Sequence, residues 1–206
     1  MITIILVRHG ETEWNKLKRI QGSGSNIPLS ETGKLQARQL AQRLKDEKIE
    51  AVYSSPLQRA LLTAQEIAQI HHLEVKKLDS LLEINAGTLE GALIADLKLR
   101  LDEFVCRYDA NRELIRPPGG ESLPEVQKRA WDTLQNIACQ HEGTVVIVSH
   151  YFVILSVICR VLNLPLQEIT RLRLSTGTVS RFTLDGAGIP RLELFNDGCH
   201  LENHLI

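Results

Sequence analysis

Thr3-Ile4-Ile5-Leu6-Val7-Arg8-His9-Gly10 is an unbroken apolar run that stops abruptly on a cation, an imidazole and a glycine. A strand covered by helices on both faces has no polar side to show, so it reads as continuous hydrophobicity instead of alternation. Val145-Val146-Ile147-Val148, followed by Ser149-His150, repeats the pattern. Both runs are therefore expected to be central strands of a parallel sheet.

Outward from these two, Ala51 to Tyr53 and Glu74 to Leu78 are further strand candidates, each separated from its neighbour by a helical pattern. Ala37, Leu40, Ala41 and Leu44 form one apolar stripe at helical spacing, as a crossover helix requires. Ser55-Pro56 predicts a cap followed by a first-turn proline, opening a helix that runs through Ala68. Ser122, Pro124 and Glu125 form a capping box before the stripe Val126, Ala130, Leu134 and Ile137, and another helix is expected from about Tyr151. Val179 to Leu184 and Arg191 to Phe195, joined by Asp185-Gly186-Ala187-Gly188, read as a hairpin on the sheet edge. The alternation predicts an α/β fold: a three-layer α/β/α sandwich with a mostly parallel central sheet and an edge antiparallel strand. Residues 1–206 are read as a single domain, in which the stretch at about 92–118, ending in Pro117-Pro118-Gly119-Gly120, is a lid-like insertion.

Composition narrows the function. Lysine plus arginine (24) nearly balances aspartate plus glutamate (25), so no global field is available to hold nucleic acid or an anionic membrane. The longest apolar stretch, Tyr151 to Leu164, is interrupted by Arg160 and falls short of the ~20 residues a spanning helix needs. Met1 to Val7 carries no basic leader or cleavage site, so the chain is read as cytoplasmic. The four cysteines lack metal or disulfide spacing and are read as inert thiols.

In an open α/β sheet, ligands bind beyond the carboxyl ends of the strands. Arg8-His9, Arg59 after the second strand and His150 after the fourth all fall at that edge, with Glu83 following the third. Two arginines can fork onto phosphoryl oxygens. His9 is the candidate nucleophile, because a neutral imidazole nitrogen can attack phosphorus in line. His150, once protonated beside an incoming anion, would add a cationic donor. Glu83 is the candidate proton handler, which requires a pKa raised by burial. Glu11, Glu90 and Glu121 are the alternatives, each with a bland reading as cap or salt-bridge partner.

At these residues the chain resembles the histidine phosphatase superfamily, also called phosphoglycerate mutase-like. The resemblance rests on Leu6-Val7-Arg8-His9-Gly10-Glu11-Thr12 with Trp14-Asn15, on Gln21-Gly22, on Pro28-Leu29-Ser30 with Gly33, and on Tyr53-Ser54-Ser55-Pro56-Leu57 with Arg59-Ala60 and Thr63-Ala64. It continues in Gly119-Gly120-Glu121-Ser122 and Val148-Ser149-His150. It implies that Arg8, His9, Arg59, Glu83 and His150 make a phosphate pocket completed by Asn15 and the Gln21-Gly22 backbone, with Tyr151 as a further substrate contact and neither metal nor cofactor. Three departures stand out: a longer loop at Ser23 to Ile27, Asn26 where aspartate is common, and Leu89 where an aromatic is usual.

The resemblance implies a phosphomonoester hydrolase of a small phosphorylated metabolite. Phosphoserine is suggested by the similarity of Cys199-His200-Leu201 to the tail of metal-independent phosphoserine phosphatases. The alternatives are a cofactor-dependent phosphoglycerate mutase, an α-ribazole phosphate or sugar phosphate phosphatase, and a non-catalytic phospho-ligand binding protein. The long insertion of cofactor-dependent mutases is missing, which favours hydrolysis, because a mutase must shield its phosphohistidine from water. Homodimers are frequent in the family, and the edge hairpin offers a route to one.

Several patterns are set aside. Cys106 to Arg112 has C-x5-R spacing but no glycine in the loop to aim backbone N–H groups. Gly22-Ser23-Gly24 lacks the rest of a dinucleotide fingerprint. His71-His72 reads as a solvated helix end, His141 as a charge near a helix C-terminus, and His200 with His204 as a frayed or docked tail instead of a metal site. Phe104 and Tyr108 could face substrate from the lid or, like Tyr151 and Phe152, belong to the core.

Overall fold

A computed structural model describes residues 1–96 and 116–201. The strands are β1 (Ile2–Arg8), β2 (Ile49–Ser54), β3 (Val75–Lys77), β4 (Thr144–Ser149), β5 (Val179–Leu184) and β6 (Pro190–Asp197). They form one sheet in the order β3-β2-β4-β1-β5-β6. The first four in that order run parallel; β5 pairs antiparallel with β1, and β6 pairs antiparallel with β5. The two apolar runs thus lie side by side at the centre, Ile4 opposite Val145 and Val7 opposite Val148.

The helices bounded within the described residues include α1 (Glu13–Lys16), α2 (Glu31–Arg43), α3 (Gln58–Ile70), α4 (Leu123–Ala138) and α5 (Tyr151–Val161). Alternate residues of each central strand feed opposite cores. Ile4, Leu6, Val145 and Ile147 pack with α4 and α5, whereas Ile5, Val7, Val146 and Val148 pack with α2 and α3. This is the three-layer arrangement expected from the unbroken strands. Such residues are fully buried, each stabilising the fold by about 1.5–3 kcal/mol.

The helix after β2 starts later than Ser55-Pro56 predicts. Ser55 Oγ does accept from Leu57 N (3.3 Å), but the chain bends at Pro56 and Leu57, with Leu57 outside the helical conformation, and α3 opens at Gln58. Asn26 Oδ1, from the longer loop, accepts from Gln58 N (2.8 Å) and supplies the cap. The Ser122–Glu125 capping box forms as the sequence predicts. Of the stretch at 92–118, residues 97–115 lie outside the described residues, as do Cys106, Phe104, Tyr108, Arg112 and His204.

Candidate active site

The carboxyl edge of the sheet collects the predicted side chains. Arg8 ends β1, and its Nη1 donates to Leu174 O (2.6 Å) while its guanidinium carbon lies 5.0 Å from the centroid of the Tyr151 ring. His9 follows, with its backbone N held by Ser149 O (3.2 Å) at the end of β4. Its Nδ1 lies 2.7 Å from Gly10 O. A carbonyl only accepts, so Nδ1 carries the proton and the lone pair is left on Nε2. The next turn is anchored by Gly10 N donating to Thr63 Oγ1 (3.1 Å), and Thr63 Oγ1 donating to Arg59 O (2.8 Å). Gly10 and Gly33 meet so closely that a Cβ on Gly10 would lie 2.4 Å from Gly33 O.

Arg59 sits in the first turn of α3 and is fully buried. Its Nη1 and Nη2 donate to Ser25 O (2.8 Å) and Gly22 O (3.1 Å), so the loop after Gln21 wraps around it. His150 precedes the first residue of α5 and its side chain makes no capping bond; its ring lies 5.1 Å from that of His9 at 57°. Arg8 Nε, Arg59 Nε and both ring nitrogens of His150 are buried without a partner among the described residues. Unpaired buried polar atoms are costly, at about 1–3 kcal/mol each; the two arginine Nε–H groups and the one N–H of a neutral His150 are donors that suit an anion, and the second His150 nitrogen becomes a donor once the ring is protonated.

Glu83 is buried. Its Oε1 accepts from Ile84 N (2.8 Å), and both oxygens lie 3.3 Å from Phe152 N in the first turn of α5. Burial raises its pKa above the carboxylate range, against the opposing pull of these bonds and of Arg59 and Arg8. Burial also pushes His9 and His150 well below 6.5, reinforced by Arg59 and Arg8. Arg59 is brought down to about 10 by burial and remains cationic at neutral pH. His150 is therefore neutral in the protein by itself, and a proton on it depends on an anion arriving.

The other candidate carboxylates each have partners of their own. Glu11 accepts from Ser30 Oγ (2.8 Å), Glu121 pairs with Arg129, and Glu90 accepts from Gly22 N (2.8 Å). That last bond engages the Gly22 amide with Glu90. Gln21 Nε2 donates to Thr12 Oγ1 (2.7 Å), and Asn15 Oδ1 accepts from Thr12 N (3.0 Å) in a capping box that leaves the Asn15 NH2 as a donor. Tyr151, half-buried, stands between Arg8 and the Phe152 ring.

Sequence reading missed Arg129. It reaches from α4 to Ser80 O (2.7 Å), Glu83 O (3.3 Å) and Glu121, holding the irregular segment that carries Glu83. Nothing in the local pattern separates it from the neighbouring Lys128. Beside Glu83 a cavity of about 420 Å³ is bordered by Ser23, Asn85, Arg116, Glu121 and Arg129. His141 lies just beyond the end of α4, with Nε2 3.0 Å from Tyr53 Oη and Nδ1 3.3 Å from Glu50. Asp197, Cys199 and His200 bring ligand-type atoms within 4.8 Å of one another, although Arg43 already lies 3.7 Å from the Asp197 carboxylate. No helix among the described residues is long and apolar enough to cross a membrane.

Known proteins are similar to this chain in sequence and in fold. Residues 4–198 match the histidine phosphatase superfamily (branch 1), and the chain belongs to that family. It is 40% identical over 169 residues to phosphoserine phosphatase 1 of Hydrogenobacter thermophilus, covering 82% of this chain and 80% of that one. It is 38% identical over 182 residues to a probable phosphoglycerate mutase GpmB of Serratia proteamaculans, covering 88% of this chain and 84% of that protein. Its fold superposes with a TM-score of 0.86 on Entamoeba histolytica phosphoserine phosphatase in complex with 3-phosphoglyceric acid, at 33% identity, covering 98% of this chain and 100% of the other.

Proposed function

We propose that this chain hydrolyses small phosphomonoesters through a phosphohistidine on His9. The observation that carries the reading is the Nδ1–H bond of His9 to Gly10 O in a ring that burial and two arginines keep neutral, which leaves Nε2 as the nucleophile. In the first step Nε2 bonds to phosphorus as the ester P–O bond breaks, and the leaving oxygen takes the Glu83 proton. In the second, water gives a proton to the Glu83 carboxylate while its oxygen bonds to phosphorus and the N–P bond breaks. Phosphate and a reprotonated Glu83 result. Arg8, Arg59 and His150 stabilise charge spreading over the phosphoryl oxygens, and Asn15, Gln21, Gly22 and Tyr151 border the substrate. No step calls on a metal or cofactor.

Phosphoserine is the substrate we favour, supported by the relative named for that activity. A second reading, phosphoglycerate mutase, is supported by the GpmB relatives. Residues 1–206 are taken as one domain, because all six strands share one sheet. The test is phosphate release from phosphoserine and related esters with chelator present, alongside trapping of an acid-labile phosphoenzyme. Release that survives His9→Ala, or vanishes with chelator, overturns the reading. Interconversion of phosphoglycerates faster than release would select the mutase instead.

A further inference from the structure

The bonds around Arg8 and His9 continue beyond the pocket. The segment Leu174-Ser175-Thr176-Gly177-Thr178, just before β5, grips the end of β1 repeatedly. Leu174 O accepts from Arg8 Nη1 (2.6 Å) and Thr178 O from Arg8 N (3.1 Å). Gly177 N donates to both Arg8 O and His9 O, at 3.1 Å each. Gly177 does this at φ +70°, and a Cβ there would also lie 3.1 Å from Gln36 Cβ. The segment thus sets the backbone of Arg8 and His9 and the direction of the Arg8 guanidinium.

It has no helix or strand of its own to hold it. Among the described residues, contacts reach it from the far end of the chain through Asn196 and His200. Asn196 Oδ1 accepts from Ser175 N (2.8 Å), and His200 Nε2 lies 2.9 Å from Gly177 O. Since the carbonyl only accepts, Nε2 of His200 carries the proton in this contact. Asn196 reaches Ser175 because the β5–β6 pairing slips between Val179, opposite Asp197, and Arg181, opposite Leu194. At that irregularity Asn196 adopts φ +53°, a left-handed conformation asparagine tolerates better than most residues, with its own N donating to Ser180 Oγ (3.1 Å). A bulge that re-aims one polar side chain onto a single backbone N–H is what a positioning contact requires.

We propose that Asn196 and His200 are positioning residues for phosphoryl transfer, acting through Leu174 to Thr178 on Arg8 and His9. This rests on the reading of His9 as nucleophile. Neither residue touches the reacting atoms. Displacing a reacting group by about 1 Å can cost on the order of 100-fold, so a partial drift of the segment is expected to cost about tenfold.

The test compares wild type with His200→Ala, His200→Gln, Asn196→Gly and Asn196→Asp. Glutamine can place an amide N–H where Nε2 stands; aspartate keeps an acceptor at Ser175; glycine keeps the left-handed backbone and removes the acceptor. Turnover of p-nitrophenyl phosphate, affinity for inorganic phosphate and the 15N resonances of the His9 ring are measured on each folded protein. Expected are a fall of about tenfold in kcat/KM and weaker phosphate binding for His200→Ala and Asn196→Gly, with most of both regained in the glutamine and aspartate variants. A shifted or broadened His9 signal should accompany the loss. Wild-type phosphate affinity and His9 resonances in both deletion variants overturn the inference, as does a fall that the conservative variants fail to restore. If His200→Ala does not fold, the asparagine pair decides. Absence of phosphatase activity in wild type would sink the proposed function, yet the phosphate affinity and ring signals would still judge the clamp.

Discussion

Replacing Glu83 by glutamine keeps its shape and removes its proton. A well-placed general acid contributes about 10²- to 10⁴-fold, or about 2.7–5.4 kcal/mol of barrier at 1.36 kcal/mol per tenfold. The loss should depend on the leaving group. An alkyl ester such as phosphoserine departs as an alkoxide and needs the proton, whereas p-nitrophenolate leaves unaided, so Glu83→Gln should lose the full factor on the first and far less on the second. A second measurement is independent of turnover. The pKa of Glu83 is raised in the folded protein, so the unfolded chain releases its proton first as pH climbs from about 4.5. Wild type therefore loses stability between that pH and the raised folded value, and the glutamine variant does not. Its melting temperature should match wild type in acid and exceed it at neutral pH, by about 2–4 °C for each kcal/mol relieved. Equal losses on both esters would refute the proton-transfer role. A variant less stable at neutral pH would show that the bonds to Ile84 and Phe152 and the attraction to the arginines outweigh burial.

His9 must be neutral to attack, and its pKa is pushed below 6.5, so kcat/KM should hold as pH falls through 6.5 and fail only at lower pH; an acid limb centred at or above 6.5 counts against the nucleophile. A Cβ at Gly33 would sit 2.0 Å from Glu11 O, where backbone has little room to yield, whereas at Gly24 the nearest atom would be 3.5 Å away on the Glu90 side chain. Gly33→Ala should therefore cost about 1–3 kcal/mol or more in thermal unfolding, and Gly24→Ala much less; equal costs would contradict the packing argument. Arg129→Met removes the donors to Ser80 and Glu83 carbonyls, and should lower the urea midpoint by an amount worth about 1–3 kcal/mol and reduce kcat with it. An unchanged kcat would show that the Glu83 segment is held without Arg129.

The parts of the fold legible in the sequence are those where burial or capping leaves a local mark. β1 and β4 are unbroken because both faces are covered, and α4 is announced by the capping box of Ser122 and Glu125. The start of α3 is not legible, since its cap is Asn26, more than thirty positions upstream in sequence and on a different loop. The same division runs through the site. Arg8, His9, Arg59 and His150 are visible because strand ends converge in a parallel sheet, whatever the details of packing. Glu83 follows the third strand but lies on an irregular segment between the short turn Asp79–Leu81 and Ile84, so its place at the sheet edge sets it apart from Glu11, Glu90 and Glu121 less sharply than a strand end does for His9. Arg129, Asn196 and His200 act through backbone carbonyls and amides of distant segments, and no spacing in the chain encodes such pairings. The protonation state of His150 is likewise a property of the assembled pocket, where burial and the arginines remove the proton that an isolated histidine could carry.

The proposed chemistry asks for a base without its proton and an acid with one, within the same few ångströms. Burial answers both requests at once, because it disfavours the charged form of either group: it lowers the imidazoles and raises the carboxyl. The arginines break that symmetry. For His9 they act in the same direction as burial, so its neutrality is secured twice over. For Glu83 they oppose it, as do the amides of Ile84 and Phe152, so its proton is held only by the margin of desolvation over these attractions. The pH response of the enzyme should accordingly be tuned at the surroundings of Glu83, where Arg129 and the first turn of α5 set the carboxyl, and should be comparatively insensitive to small changes around His9.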